Sequence, residues 1–274
     1  MTKNSLKPTK RRWDEVFNYI ENTPQLNDIV ISGGDSYYLS PEQLYDIGER
    51  LLAIPHIKRF RYATKGLAVC PSRILDPNDA WSSALIGISN MGKQMGKAVA
   101  VHTHFNHPNE TSWITRRAAQ RLFENGVTMR NQTVLLRGVN DNISVMKKLI
   151  NSLADMNIQP VKVFTFVIRS YLLTGHFTNQ YYVYQGDMVR GVEDLRTPLS
   201  TILDLEMQIR GTIGGFLTPQ FIVDLPGGGG KRLATSYQTY DTNTGISTFL
   251  APAVTGDREK VFEYHDPLWS LPDQ

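Results

Sequence analysis

Residues 28–55 read DIVISGGDSYYLSPEQLYDIGERLLAIP, and the order of signals within them decides the fold. Asp28-Ile29-Val30-Ile31-Ser32 is a short apolar run of strand type that stops at Gly33-Gly34. Ser40-Pro41-Glu42-Gln43 then opens a helix, with a serine cap, proline at the first helical position and glutamine at the third. That helix turns Leu44, Ile47, Leu51 and Ile54 to one side, and Pro55 ends it. A strand, a glycine loop and a helix in this order form one βα unit.

The same alternation continues in both directions. Upstream, Trp13, Val16, Phe17 and Ile20 fall on one helical face. Downstream, strands are predicted at 57–63, 98–103, 127–136, 161–168, 181–184 and 216–223. Helices are predicted at 78–95 and 112–125, the latter closed by Gly126, and around Met146, Leu149, Ile150 and Leu153. Alternating βα units imply an α/β fold with a parallel sheet. About six units favour a barrel or partial barrel over a small doubly wound sheet. No internal repeat or interdomain linker interrupts residues 1–233; from about Ala234 the composition shifts and reads as a C-terminal extension, 234–274, wrapping the core.

Composition excludes several classes. The net charge of +3 is too small, and the basic residues too dispersed, for a nucleic-acid or acidic-membrane partner. The basic run Lys7, Lys10, Arg11 and Arg12 reads as a solvated helix entry. No apolar stretch is long enough for a membrane helix, and the first residues lack a secretory apolar region. The single cysteine, Cys70, rules out a disulfide framework or Cys-rich metal site within the chain and points to a reducing, cytoplasmic setting.

In parallel α/β folds ligands sit at the carboxyl ends of the strands. The unusual polar residues fall at those ends: Ser32 to Asp35, His102 to His107, Asn131-Gln132, Gln185-Gly186-Asp187, and Asp224 to Lys231. The run Asp224-Leu225-Pro226-Gly227-Gly228-Gly229-Gly230-Lys231 is the sharpest. Four glycines permit positive φ and close approach of a ligand to the backbone. It is not a Walker A loop, which needs glycine at position 225 and a hydroxyl residue at position 232, where this chain has Leu225 and Arg232. The plain alternative is a turn with a surface lysine. A lysine placed there can bond to a carbonyl cofactor such as pyridoxal phosphate. Asp187 and Asp224 on the same rim can hold a substrate ammonium, or else cap a following loop. His102 and His104 point to one side of a strand, as metal ligands in hydrolases do. Further histidines at later strand ends are wanting, so no metal site is assigned. Cys70 reads as a buried structural thiol.

The chain resembles the lysine 2,3-aminomutase family, radical S-adenosylmethionine enzymes that also use pyridoxal phosphate. The matching stretches are SGGDSYYLS (32–40), THFNHPNE (103–110), NQTVLLRGVND (131–141), YYVYQGDMVRGVEDLRTPLS (181–200) and FIVDLPGGGGK (221–231). The extension resembles that of fungal-type members. The resemblance implies a partial (β/α) barrel of the radical S-adenosylmethionine type. It implies that Lys231 bonds covalently to pyridoxal phosphate and that Asp187 and Asp224 bind the ammonium of a lysine-like amino acid. It implies that Ser32, Gly33, Gly34 and Asp35 bind the methionine amino group of S-adenosylmethionine, with His104 and Gln132 as further contacts. It also implies a homo-oligomer and a radical 1,2-amino shift from L-lysine to β-lysine.

Two departures qualify this. The family holds a four-iron four-sulfur cluster on a Cys-x3-Cys-x2-Cys loop upstream of the segment matching Trp13, and this chain has only Cys70. Cluster loop and first strand are therefore expected to be missing, leaving an open sheet edge, and this chain is expected not to carry out the radical reaction. Second, the twenty residues 161–180 (VKVFTFVIRSYLLTGHFTNQ) interrupt the family register. Removing them shortens the Gln132–Asp187 separation from 55 residues to 35. Val161 codons begin with GT, Gln180 can be CAG, and Leu173-Thr174 can encode CTAAC, so the segment is expected to be a retained intron; the alternative is a genuine loop. Two other functions stand beside the enzyme: a cluster-less pyridoxal phosphate or amino-acid binding protein without turnover, and a metal-dependent hydrolase using His102 and His104.

Overall fold

The computed structural model describes residues 10–32, 34–158, 182–188 and 191–272. Gly33, Tyr181, Lys7 of the basic run, the strand predicted at 161–168 and the whole 161–180 insertion lie outside the described residues. The chain forms two compact units. The first runs to His102 and takes in Arg121–Thr128; the second takes Thr103–Gln120 and the chain from Met129 onward. Both mix helices with strands, and the sheets are rich in parallel pairs.

In the first unit β1 (Asp28–Ile31), β2 (Arg59–Ala63) and β3 (Ala98–Thr103) pair in parallel, with Val30 opposite Arg61 and Arg61 opposite Ala100. Helix α1 (Lys10–Glu21) buries Phe17 and Ile20 but leaves Val16 exposed, because Val16 lies on the flank of the apolar arc. Helix α2 (Pro41–Ala53) begins as its sequence dictates: Ser40 Oγ accepts the Gln43 N–H, and Gln43 Oε1 accepts the Ser40 N–H. Leu44, Ile47 and Leu51 go inward, each such side chain contributing about 1.5–3 kcal/mol. The short turns α3 (Gly66–Val69) and α4 (Ser72–Leu75) lead into α5 (Trp81–Gln94). Helices α2 and α5 approach closely at Gly48, where a Cβ would sit 2.6 Å from Ile88 Cγ2. Tyr62 of β2 donates to the Leu44 carbonyl at 2.7 Å, tying sheet to helix.

Helix α6 (Trp113–Glu124) closes at Gly126, whose φ is +71°. In the second unit β4 (Thr128–Val134), β5 (Tyr182–Tyr184) and β6 (Gln220–Leu225) are parallel, with Gln132 opposite Tyr182 and Tyr182 opposite Gln220. Strand β6 starts four residues later than predicted, since 215–217 forms a tight turn ahead of Pro219. Helices α7 (Ile143–Asp155) and α8 (Leu199–Ile209) bury Met146, Leu149, Ile202 and Leu205. Strand β7 (Gly230–Leu233) folds back antiparallel on β6. The extension adds an antiparallel sheet of β8 (Tyr237–Asp241), β9 (Ile246–Leu250) and, after the short helix α9 (Pro252–Thr255), β10 (Val261–His265). No helix among the described residues is long and apolar enough to cross a membrane.

Candidate functional site

The hairpin of β6 and β7 carries the site in the second unit. Asp224 and Lys231 are directly opposed across the two strands, and Lys231 Nζ lies 3.0 Å from Asp224 Oδ2. Cross-strand opposition of this kind lets a charge pair form without ordering a loop. The turn between them needs its glycines for two reasons. Gly227, Gly228 and Gly230 have φ of +69°, +89° and +67°. Gly229 instead leaves no room: its Cβ would stand 2.7 Å from both Leu225 Cβ and Phe262 Cγ.

Period-two alternation puts Gln220, Ile222 and Asp224 on one side of β6, and register adds Tyr182 and Tyr184 from β5. Lys231 Nζ lies 4.5 Å from the centroid of the Tyr184 ring. Tyr182, Gln220, Ile222, Lys231, Leu233 and Ser236 line a cavity of about 380 Å³, in the range of small-ligand sites. Desolvation weakens the Lys231 ammonium, but hydrogen bonds to Asp224 and Tyr184 outweigh it and raise the group above its ordinary value. Asp187 follows Gln185 and Gly186 at the end of β5 and is exposed. Partial desolvation and the Asp224 charge raise its carboxyl above the usual range, and Lys231 opposes them. Asp187, Asp224 and Lys231 therefore share one electrostatic environment.

The Asp187 loop is held from behind. The Gln185 N–H donates to the Ile222 carbonyl at 2.8 Å, and its side-chain amide donates to the Thr197 carbonyl. Arg196 is buried, pairs with Glu193 at 2.7 Å and donates to the His265 carbonyl.

Buried asparagines govern the other strand ends of this unit. Asn131 uses all four of its hydrogen-bonding positions. Its Oδ1 accepts from Phe105 N (2.7 Å) and Thr103 Oγ1 (3.0 Å). Its Nδ2 donates to Phe105 O (3.1 Å) and Thr133 Oγ1 (2.9 Å). Asn140, fully buried, donates to the Asn106 and Val134 carbonyls and accepts from the Leu136 N–H. These two residues fix the backbone beside His104, and the sequence reading assigned neither that work. A polar residue on the buried side of an alternating strand was the signal for Asn131. Gln132, its neighbour on β4, is exposed on the opposite side. His107 Nδ1 accepts the Asn109 N–H at 3.1 Å, a local cap. Among the described residues no three His, Cys, Asp or Glu side chains converge as metal ligands do.

In the first unit Ser32 and Gly34 are exposed, and Gly34 has φ of +122°. Both Asp35 oxygens already accept backbone N–H groups, Oδ1 from Tyr37 at 2.9 Å and Oδ2 from Lys65 at 2.8 Å. Asp35 thus stitches the loop after β1 to the loop after β2. Cys70 is exposed rather than buried, since the turn from α3 to α4 carries it at the surface.

No family model matches the chain. L-lysine 2,3-aminomutase of Clostridium subterminale is 39% identical over 220 residues, 80% of this chain and 45% of that protein. The enzyme of the same name from Fusobacterium nucleatum is 36% identical, over 80% of this chain and 44% of its own length. Glutamate 2,3-aminomutase of Clostridioides difficile is 30% identical over 79% of this chain and 44% of that protein. The chain spans slightly under half the length of these curated relatives. A solved structure titled "Structure of CpGH84D" aligns with a TM-score of 0.35 at 11% identity, over 73% of this chain and 31% of that one, and carries no argument.

Proposed function

The chain belongs to the lysine 2,3-aminomutase family, and from that premise we propose that it is the amine-binding part of an aminomutase-like isomerase acting on a basic amino acid. The observation that carries this reading is Lys231, on the wall of a ligand-sized cavity, paired with Asp224 and electrostatically coupled to Asp187. Two carboxylates facing one amine suit a substrate with a second ammonium, and disfavour glutamate by like charge.

Pyridoxal phosphate fits the residues present, because Lys231 offers its amine at a cavity of about 380 Å³ beside an aromatic ring. When bound, that group supplies a carbonyl and a delocalising ring. The protein's own residues do the rest. Asp224 holds Lys231 Nζ until the amine is needed and then turns to the incoming ammonium. Asp187, whose proton affinity is raised by partial burial and by Asp224, gains from a cation placed between the two carboxylates. Tyr184 gives the amine an apolar and polarisable floor.

Ser32, Gly34 and Asp35, with His104 and Gln132, are proposed to contact S-adenosylmethionine; Asp35 would do so through the loop it shapes, as its carboxylate is already engaged. A four-iron four-sulfur cluster does not fit this chain, which has one cysteine where a cluster takes up to four thiolates. No step is derived through it, and no radical turnover is proposed for this chain alone. Cytoplasmic residence, homo-oligomerisation and the partial barrel belong to the proposal as well.

Titration of L-lysine and L-glutamate into chain loaded with pyridoxal phosphate, followed by its visible spectrum, tests the substrate class. A response to lysine at lower concentration than to glutamate is expected. Preference for glutamate would overturn the assignment.

A further inference from the structure

Phe262 and Tyr264 lie on the buried side of β10, about 7 Å apart along the strand. Each touches a glycine of the site. Phe262 closes on Gly229, where a Cβ would come within 2.7 Å of its ring, two residues before Lys231. The Tyr264 hydroxyl donates to the Gly186 carbonyl at 2.6 Å, one residue before Asp187. Gly186 also has little room, since its Cβ would stand 3.2 Å from Arg196 Cγ.

We propose that β10 is a positioning strap: Tyr264 and Phe262 together fix the distance between the loop bearing Asp187 and the turn that delivers Lys231 opposite Asp224. The inference rests on the reading of Asp187 and Asp224 as one ammonium-binding pair. Three features make the strap stiff. Strand β10 is paired to β9, with Phe262 opposite Phe249 and Tyr264 opposite Ser247. Arg196 donates to the His265 carbonyl and lies 5.3 Å from the Tyr264 ring centroid. Asp266, the next residue, accepts the Leu199 N–H at 2.7 Å and the Tyr240 hydroxyl at 2.6 Å, anchoring the strand's exit to the start of α8. Neither Tyr264 nor Phe262 is placed to touch a substrate; both act through the loops they press on.

The test is a carboxyl NMR titration of Asp187 in the ligand-free chain, because the burial its fixed loop gives it and the nearby Asp224 raise its proton affinity, with Lys231 opposing. Wild type should titrate above the ordinary carboxylate range. Tyr264→Phe and Phe262→Leu should each shift Asp187 down toward the ordinary carboxylate value. Thr239→Val removes a hydrogen bond of the same extension, between β8 and β9, that touches neither loop nor β10. It should lower the melting temperature and leave Asp187 in place. The strap is overturned if neither variant moves Asp187, if Thr239→Val moves it equally, or if wild-type Asp187 titrates normally. Labelling of Lys231 by a carbonyl reagent is read separately: its absence with a strap-sensitive Asp187 sinks the carbonyl assignment and leaves the strap standing.

Discussion

Lys231 Nζ sits 3.0 Å from Asp224 Oδ2, so the ligand-free site is already occupied by a cation of its own. Removing that cation should free Asp224 for another. Lys231→Met is therefore expected to raise the affinity of the ligand-free chain for butylammonium. Half-exposed pairs of this kind contribute about 0.2–1 kcal/mol, so the gain should be up to about fivefold. Calorimetric titration measures it; unchanged or weaker binding would show that Lys231 and an added ammonium do not compete.

Asp187→Asn should stabilise the fold while weakening lysine binding. Burial and Asp224 raise the Asp187 carboxyl, so its folded-state pKa lies above its unfolded one. The folded state then holds its proton longer, and ionisation costs stability as pH rises through that interval. Wild type and variant should melt together below the ordinary carboxylate range and diverge above it, the variant being higher. The difference should be small because Asp187 is exposed. Thermal melts from acid to neutral pH check it, and a variant that melts lower at neutral pH speaks against the pair.

The glycine turn should respond position by position. Gly227→Ala places a side chain at φ +69° with open space around it, at a cost of about 1–2 kcal/mol. Gly229→Ala meets Leu225 and Phe262 and should cost about 1–3 kcal/mol from overpacking. Phe262→Leu should recover part of the second loss and none of the first. Urea melts of the single and double variants distinguish the two causes.

Asn131→Leu should be among the most damaging single changes. It strands the buried Phe105 N–H, at about 1–3 kcal/mol, while the Phe105 carbonyl and the Thr103 and Thr133 hydroxyls each lose one of two partners. Asn131→Asp keeps the acceptor and should fall between. Denaturation of both variants checks the order.

Local chemistry was legible in the sequence and distant contact was not. The capping box of α2 and the glycine closing α6 follow from residues a few positions apart, and both stand where the sequence put them. Val16 looked inward by spacing, yet of the arc only Phe17 and Ile20 are buried and Val16 is exposed. Asp224 and Lys231 could be listed from the sequence, but their opposition depends on β7 turning back on β6. The extension read as a wrapping segment. Its grip on the site runs through Tyr264 and Gly186, 78 residues apart, a separation over which no periodicity carries information. Asp35 read as a ligand contact, and its two oxygens turn out to be taken by backbone groups on either side of the first strand loops.

The central claim is that Lys231 is the residue that bonds to a carbonyl cofactor. The direct measurement is to add pyridoxal phosphate to the purified chain, reduce with borohydride, digest, and locate the phosphopyridoxyl mass. The account predicts the label on Lys231, and its loss in Lys231→Met with the fold intact. Label spread over surface lysines, with Lys231 unmodified in folded protein, would contradict it.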